Sequence, residues 1–309
     1  MNLEQLRGFV EVADLGHFTR AAENLHLAQP SLSRQISTLE QELGAELFHR
    51  VRGNITLTSA GETLLPRARR MLADAGAIRA EMAELAGLQR GRVRLGATPT
   101  LCNSLVAEVL TAFRAVHPGV ELQITEGGSN LLIEQLTAGA VDMALVTMSE
   151  SRLAAAGSMV RAPLLTEELV VVSSAAQPPI ADSAIGIAAL ADLPLVALAE
   201  SYDLRAVTDD ALRQAGLAPT FAIEGAEMDA VLRFVERGLG VAVVPATVLL
   251  DRPTLRSVRL AAPRLARTIG IAHRSDVNPT RAAAAMRRVI RDTAAALAAR
   301  SPETLRLVE

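Results

Sequence analysis

Residues 18–36, FTRAAENLHLAQPSLSRQI, decide how the N-terminal part of the chain folds. Thr19 can cap a short helix that runs to Leu25. Pro30 is pre-set for the first turn of a further helix, and the few residues before it lead directly from one helix into the next. The stretch therefore predicts two helices joined by a turn.

The second of these helices has an apolar side and a polar side. Its apolar residues recur at helical spacing, and they are Leu32, Ile36, Leu39 and Leu43. Its other faces carry short polar side chains and one guanidinium: Ser31, Ser33, Arg34, Ser37 and Thr38. Hydroxyl groups and an arginine suit a tight groove in which phosphates and base edges must be approached closely. The pattern favours a recognition helix for the DNA major groove, and its alternative is an ordinary helical hairpin in a bundle.

A small β-hairpin is predicted directly after this helix. Residues 47–58 alternate apolar and polar side chains around a Gly-Asn turn. Beside a helix-turn-helix such a hairpin would be a wing, and Arg50 and Arg52 would bring positive charge to phosphates or to the minor groove. The alternative for these arginines is a solvated surface on which they pair with neighbouring glutamates.

Capping boxes open helices at two places in the N-terminal part. Asn2 with Gln5 opens a first helix that Gly16 ends, and Ser59 with Glu62 opens a long one. The apolar positions of the long helix alternate in steps of four and three: Leu64, Ala68, Met71, Ala75, Ile78, Met82 and Leu85. This spacing is typical of a coiled-coil seam, so we expect a homodimer in which two recognition helices read two half-sites of a pseudo-palindromic site.

Composition excludes several classes of protein. All 31 basic residues are arginine, which excludes chemistry that needs a lysine amine, and the formal net charge of −3 indicates no partner by itself. The single cysteine, Cys102, excludes an internal disulfide and a CxxC zinc site. Seven aromatic residues are too few for a stacking platform on single-stranded nucleic acid. We expect a cytoplasmic protein without a membrane span, metal, cofactor or catalytic motif.

From residue 93 onward short β-like runs alternate with helical stretches. The predicted strands are Val93–Ala97, Glu121–Glu126, Met143–Val146, Glu168–Ser173, Leu195–Ala199, Thr220–Glu224, Val241–Val244 and Thr268–His273. This alternation predicts an α/β region with parallel or mixed sheets covered by helices, in one large sheet or two smaller ones.

The N-terminal residues closely resemble the LysR-type transcriptional regulators. The matching positions are Phe18–Glu23, Leu25, Gln29–Ile36, Leu39–Glu40, Glu42–Gly44, Leu47–Phe48 and Leu57–Gly61. Ala28 departs from the family, which often has Ser or Thr there. The resemblance implies a winged helix-turn-helix, a linker helix and two α/β subdomains folded like periplasmic binding proteins. It also implies a homotetramer, whereas the seam by itself indicates only pairing.

We therefore expect a DNA-binding domain over residues 1–58, a linker helix over 59–90 and an effector-binding domain over 91–309. Subdomain I would comprise about 91–163 and 268–309, and subdomain II about 164–267. By the resemblance, Gln29, Pro30, Ser31, Ser33 and Arg34 belong to the recognition helix, and Arg50 and Arg52 to the wing.

Five residues are candidates for binding an effector. Thr100 lies in a loop similar to the family loop whose hydroxyl meets the ligand. Ser129 precedes a helix whose free N–H groups can hold a carboxylate. Thr147 lies where the family crosses to its second subdomain, and Ser201 and Tyr202 would face the cleft from the opposite side. The alternative for each hydroxyl is helix capping or turn formation.

The sequence thus predicts a transcriptional regulator that binds double-stranded DNA under the control of a small-molecule effector and has no catalytic activity. An alternative is a small-molecule binding protein whose N-terminal helices serve assembly only. An enzyme with a similar cleft is a third hypothesis, which the missing catalytic motifs disfavour.

Overall fold

The computed structural model describes residues 1–51, 54–85, 91–148, 159–180, 183–200, 202–250, 252–261 and 263–308. The chain forms two compact units. One comprises residues 1–91 with 134–141, and the other comprises 92–133 with 142–309.

The N-terminal unit has the predicted helix-turn-helix followed by a hairpin and a long helix. Its elements are α1 (Leu3–Leu15), α2 (Phe18–Asn24), α3 (Gln29–Leu43), β1 (Phe48–Val51), β2 (Asn54–Leu57) and α4 (Ser59–Leu85). Asn2 and Gln5 form the predicted capping box, and Gly16 ends α1 in the left-handed conformation at φ 63°. Leu6, Phe9 and Ile36 are fully buried in the core that joins the helices.

Helix caps differ from the sequence prediction at two positions. The cap of α2 is His17, whose ring Nδ1 accepts a hydrogen bond from Thr19 N–H, so Thr19 itself is not the cap. The cap of α4 is Thr58, whose hydroxyl oxygen accepts from Gly61 N–H at 3.1 Å, and Ser59 is the first helical residue. In both cases a residue shortly before the predicted cap also has a side-chain acceptor and is the actual cap. The spacing of residues alone does not show which of the two caps the helix.

The apolar seam of α4 divides into two parts. Ala68 is fully buried and Leu64 half-buried against the core of the N-terminal unit. Farther along the helix, Met71, Ile78 and Met82 are 42%, 60% and 54% exposed. Only the second part is therefore open to a second chain, and the expectation that the whole stripe belongs to a dimer seam was wrong for its first residues.

From residue 92 onward strands and helices alternate, as predicted. The strands are β3 (Arg92–Ala97), β4 (Glu121–Glu126), β5 (Met143–Met148), β6 (Met159–Ser174), β7 (Ala184–Ile185), β8 (Leu195–Leu198), β9 (Phe221–Ala226), β10 (Ala242–Pro245), β11 (Leu255–Leu260), β12 (Ala266–Arg274) and β13 (Leu305–Leu307). The helices are α5 (Pro99–Leu101), α6 (Ala107–Val116), α7 (Ser129–Thr137), α8 (Ile187–Ala191), α9 (Asp203–Gln214), α10 (Met228–Glu236) and α11 (Arg281–Arg300). A π-helical segment, Cys102–Val106, joins α5 to α6, and a 3₁₀ turn, Ala246–Leu249, follows β10.

One long strand, β6, connects two hydrophobic cores. Its first part pairs with β12 and β13, and from Leu169 onward it pairs with β10 and β11. Leu164 and Leu165 belong to a core with β3, β5 and α11, whereas Leu169–Val172 belong to a core with β8, β10 and α10. The sheet order β4-β3-β5-β12-β6-β11-β7 is thus continuous, although two cores pack on it. We call the part built on the first core subdomain I and the other subdomain II.

Each predicted strand corresponds to a strand of the structure. The first half of β6 and the strands β7, β11 and β13 were not predicted. Pro163 interrupts the apolar pattern in the first half of β6, yet it lies within the pairing with β12, where the register shifts between Ile269 and Gly270. No helix among the described residues is long and apolar enough to cross a membrane.

Candidate DNA interface and effector site

Helix α3 presents the polar residues of the predicted recognition helix at the surface. Gln29, Pro30, Ser31 and Arg34 are exposed, and Ser33 is half-buried. On the opposite side Leu32, Ile36 and Leu39 are fully buried. Leu43, which was expected on that buried side, is 42% exposed because α3 ends there and Gly44 turns the chain away. The exposed side of α3 therefore combines hydroxyls, an amide and one guanidinium.

The first turn of α3 lacks a side-chain cap. Ala28 occupies the cap position, and its methyl group can accept no hydrogen bond from the N–H groups of the turn. Pro30 has no N–H, and the N–H groups of Ser31 and Leu32 both donate to the carbonyl oxygen of Ala28. The departure at Ala28 thus leaves the start of α3 without the hydroxyl that the family often has there.

The predicted hairpin follows α3. Strands β1 and β2 pair antiparallel, with Phe48 opposite Leu57 and Arg50 opposite Ile55. The side chain of Arg50 lies outside the described part of the structure, as does the whole of Arg52. The backbone of α4 at Gly61 lies so close to the base of the hairpin that a Cβ there would collide with the carbonyl oxygen of Leu47.

Three adjacent parallel strands of subdomain I end at one edge. Strand β3 pairs in parallel with both β4 and β5, so the residues after each strand lie side by side. Ser129 is buried, and its Oγ accepts a hydrogen bond from Thr147 N–H at 3.2 Å. Thr100 is 1% exposed, and its Oγ1 lies 3.5 Å from Oγ1 of Thr98. Strand β5 extends through Thr147 to Met148, two residues farther than predicted.

A second edge is formed in subdomain II by the parallel strands β8 and β9. Tyr202 caps α9 after β8, and its hydroxyl donates a hydrogen bond to the Glu227 carboxylate after β9. Ser201 lies outside the described residues. Arg205 points elsewhere: its guanidinium carbon lies 4.5 Å from the centre of the Phe221 ring, and Nε binds Asp209 at 2.7 Å.

The two edges face each other. Asn103 Nδ2 of subdomain I donates to Asp229 Oδ2 of subdomain II at 3.3 Å. Burial and the hydrogen bond to Glu227 raise the pKa of Tyr202, and the charge of Glu126 on the other edge raises it further. Glu126 also acts on Cys102, whose thiol pKa is raised to about 11, mainly by burial. We call the space between the two edges the cleft. Tyr202 and the carboxylates of Glu126 and Glu227 border it, whereas Thr100 and Ser129 are buried beside it.

Family models match both the N-terminal helix-turn-helix region and the α/β region of the chain. Residues 3–62 match the model of the bacterial regulatory helix-turn-helix proteins of the lysR family, and residues 86–295 match the LysR substrate binding domain. The chain belongs to the LysR family of bacterial transcriptional regulators. It is a LysR-type regulator with a helix-turn-helix domain for DNA and a substrate-binding domain, as the resemblance predicted.

Individual relatives cover nearly the whole chain. A probable hydrogen peroxide-inducible genes activator of Streptomyces viridosporus is 33% identical over 94% of this chain and 95% of its own length. A probable nitrogen assimilation transcriptional activator of Synechococcus elongatus is 32% identical over 87% of both chains. A full-length OxyR variant from Pseudomonas aeruginosa is similar in structure, with a TM-score of 0.70, 29% identity and coverage of 95% and 94%.

Sequence reasoning missed several residues of the cleft in this LysR-type regulator. Thr98 is buried beside Thr100, and Glu126 and Glu227 lie at the ends of β4 and β9. Each of the three follows or ends a strand, which is the signal that could have found them. Among the described residues, no group of three or more His, Cys, Asp or Glu side chains could hold a metal ion.

Proposed function

We propose that this LysR-type regulator binds double-stranded DNA through α3 and the hairpin, and that a small-molecule effector in the cleft controls this binding. The observation that supports DNA binding most directly is the division of α3 into a fully buried apolar side and an exposed polar side. The exposed residues have the donors and the small size that a major-groove contact needs.

Each DNA-binding residue has a proposed role. Gln29, Ser31, Ser33 and Arg34 contact base edges and phosphates from α3, and Pro30 starts the helix. Arg50 and Arg52 contact phosphates or the minor groove beside it. In this assignment Arg34 carries sequence preference, because an arginine can bind guanine through two hydrogen bonds.

The assembly that fits this function is a homodimer formed through α4. Met71, Ile78 and Met82 are exposed on one side of that helix, and such a stripe favours contact with a second copy. Two copies related by a twofold axis place two α3 helices on a pseudo-palindromic operator. We propose further that dimers pair into a homotetramer.

For the effector, the cleft favours a small carboxylate. Thr100 and Ser129 lie at helix starts, where hydroxyls and N–H groups stabilise a negative charge. Thr147, Ser201 and Tyr202 would complete the contacts from the other strand ends. Glu126 and Glu227 favour an effector that also carries an ammonium group, since two carboxylates repel a purely anionic ligand.

We propose that the protein works in the cytoplasm and acts by binding alone, without catalysis. An effector that closes the cleft would shift the equilibrium between two arrangements of the DNA-binding domains. The free energy of this shift can be no larger than the difference between the effector's binding free energies for the two arrangements. The competing hypothesis, in which the N-terminal helices serve assembly only, predicts no preference for any DNA sequence.

Footprinting on the chain's own upstream DNA tests the DNA-binding assignment. We expect Arg34→Ala to abolish the sequence-specific footprint while the oligomer remains intact in size-exclusion chromatography. Arg7→Ala, which removes an exposed arginine of α1, is the matched control and should leave the footprint unchanged. An unchanged footprint in the Arg34 variant would favour the assembly-only hypothesis.

Thermal-shift assays test the effector class, because a bound ligand raises the unfolding temperature with the logarithm of its saturation. We expect amino acids such as aspartate and glutamate to raise it more than succinate and glutarate, which lack the ammonium group. Thr100→Val should reduce the shift, whereas Thr111→Val, which removes an exposed hydroxyl of α6, should not. A full shift in the Thr100 variant would remove that residue from the site.

A further inference from the structure

A buried ion pair lies where β6 passes from one subdomain to the other. Glu167 is fully buried on β6, directly opposite Arg267 on β12, and the change of strand partners follows two residues later at Leu169. Arg267 Nε donates to Glu167 Oε1 at 2.7 Å, and Arg267 is itself 8% exposed. The carboxylate therefore lies at the connection between the two hydrophobic cores.

The other oxygen of this carboxylate is bound from subdomain II. Thr247 in the 3₁₀ turn after β10 donates its hydroxyl to Glu167 Oε2 at 2.6 Å and its backbone N–H to the same oxygen at 3.3 Å. Thr247 is 1% exposed. The Glu167 carboxylate thus accepts hydrogen bonds from two places. Arg267 donates from a strand that packs on the core of subdomain I, and Thr247 donates from a turn of subdomain II.

We propose that Glu167, Arg267 and Thr247 form a pivot that fixes the resting angle between the two subdomains and so sets the width of the cleft. Hydrogen bonds to a buried carboxylate are directional and short, so rotation of subdomain II would move the Thr247 donors away from Oε2. A buried charge left without donors is costly, so the pivot favours one arrangement over all others.

The neighbouring residue provides a matched control. Glu168 forms an ion pair with Arg259, whose Nε and Nη2 donate to it at 2.9 Å and 2.7 Å, but the Glu168 side chain is partly exposed. Its loss removes an ion pair of the same kind from the same strand without opening the bonds between Thr247 and Glu167.

The chain contains a natural probe of the cleft. Tyr202 is its single tyrosine, and the chain has no tryptophan. Emission excited at a wavelength that tyrosine absorbs and phenylalanine does not therefore reports on this position alone. Tyr202 lies half-buried on the edge of subdomain II that faces Glu126. A change in the angle between subdomains alters how easily acrylamide reaches the ring.

Acrylamide quenching of the full-length protein tests the pivot without DNA or effector. Thr247→Val removes the hydroxyl at nearly constant volume and should raise the quenching constant about twofold, because the resting arrangement is no longer favoured. Thr247→Ser keeps the hydroxyl and should restore the wild-type value, and Glu168→Gln should also match the wild type. Glu167→Gln is the stronger change, to be read only if circular dichroism shows that it folds.

A folded Thr247→Val variant with wild-type quenching would overturn the proposal, since the hydrogen bond would then contribute to stability alone. The regulatory consequence rests on the proposed function: Thr247→Val should change the operator footprint in the absence of effector. An absent footprint in all variants, including the wild type, would count against DNA binding, whereas the quenching result would still decide the pivot.

Discussion

Cys102 illustrates how the surroundings of one residue limit its chemistry. Its thiol is half-buried at the start of the π-helical segment, 3.9 Å from the Ala97 carbonyl oxygen, and the Glu126 carboxylate lies close to it. Burial and this negative charge both disfavour the thiolate, so the thiol pKa rises to about 11. Alkylation and oxidation of a cysteine both proceed through the thiolate, so this environment disfavours both reactions.

We expect Cys102 to react slowly in the folded protein. At pH 9 iodoacetamide should alkylate it at least tenfold more slowly than in urea, because alkylation needs the thiolate and unfolding returns the thiol to its usual pKa of 9.0. The neutral thiol contributes stability that is complete below pH 9 and is lost as the pH rises towards 11. Mass spectrometry of quenched time points measures both rates, and equal rates would contradict the assigned environment.

Single residues also show why only part of the site could be predicted. The buried and exposed sides of α3 follow from the spacing of Leu32, Ile36 and Leu39, because helical periodicity is a local property. The contact between Tyr202 and Glu227 joins residues from two strand ends that only the folded sheet brings together. Such pairs have no signature in local spacing. Strand ends can indicate Tyr202 and Glu227 separately, but not that the two side chains contact each other.

At the scale of elements, α4 serves two purposes along its length. Its first turns complete the core of the N-terminal unit, and its later turns leave Ile78 and Met82 exposed. The heptad pattern of α4 could be predicted from the sequence. That its first apolar residues are buried in the N-terminal core while its later ones are exposed could not. The division depends on where α1 packs against the helix, which is a tertiary contact.

We expect Ile78→Glu to dissociate the proposed α4 dimer, because it would place two charges on the exposed apolar stripe through which the copies would pair. Sedimentation velocity at micromolar concentration should then show a monomer, while the circular dichroism of the helices remains. Arg79→Glu changes the charge of the next, exposed residue and is the control, which should stay dimeric. A dimer in both variants would place the interface elsewhere than on α4.

The long strand β6 shows where element prediction from sequence fails. Its second half, from Glu168, was predicted because its apolar run is continuous. Its first half contains Pro163 and polar residues, a composition that favours a loop. Pairing with β12 on one side and β13 on the other keeps it extended, so long-range contacts override local preference.

At the scale of the whole molecule, the hydrophobic cores are separate. The core of the N-terminal unit contains residues from Leu6 to Ala68, and the cores of the other unit contain none of these. Cooperative unfolding requires shared contacts, so units with separate cores can unfold in separate transitions.

We therefore expect calorimetry to show two transitions that respond to different substitutions. Ala28→Ser supplies the missing cap of α3 and should stabilise the N-terminal unit by about 1 kcal/mol, which raises its transition by roughly 4–8 °C. Leu232→Ala removes a fully buried side chain of the other unit and should destabilise it by about 3 kcal/mol. Protein concentration is kept fixed because self-association would shift the transitions. A single transition that both substitutions move would mean that the two units unfold together despite their separate cores.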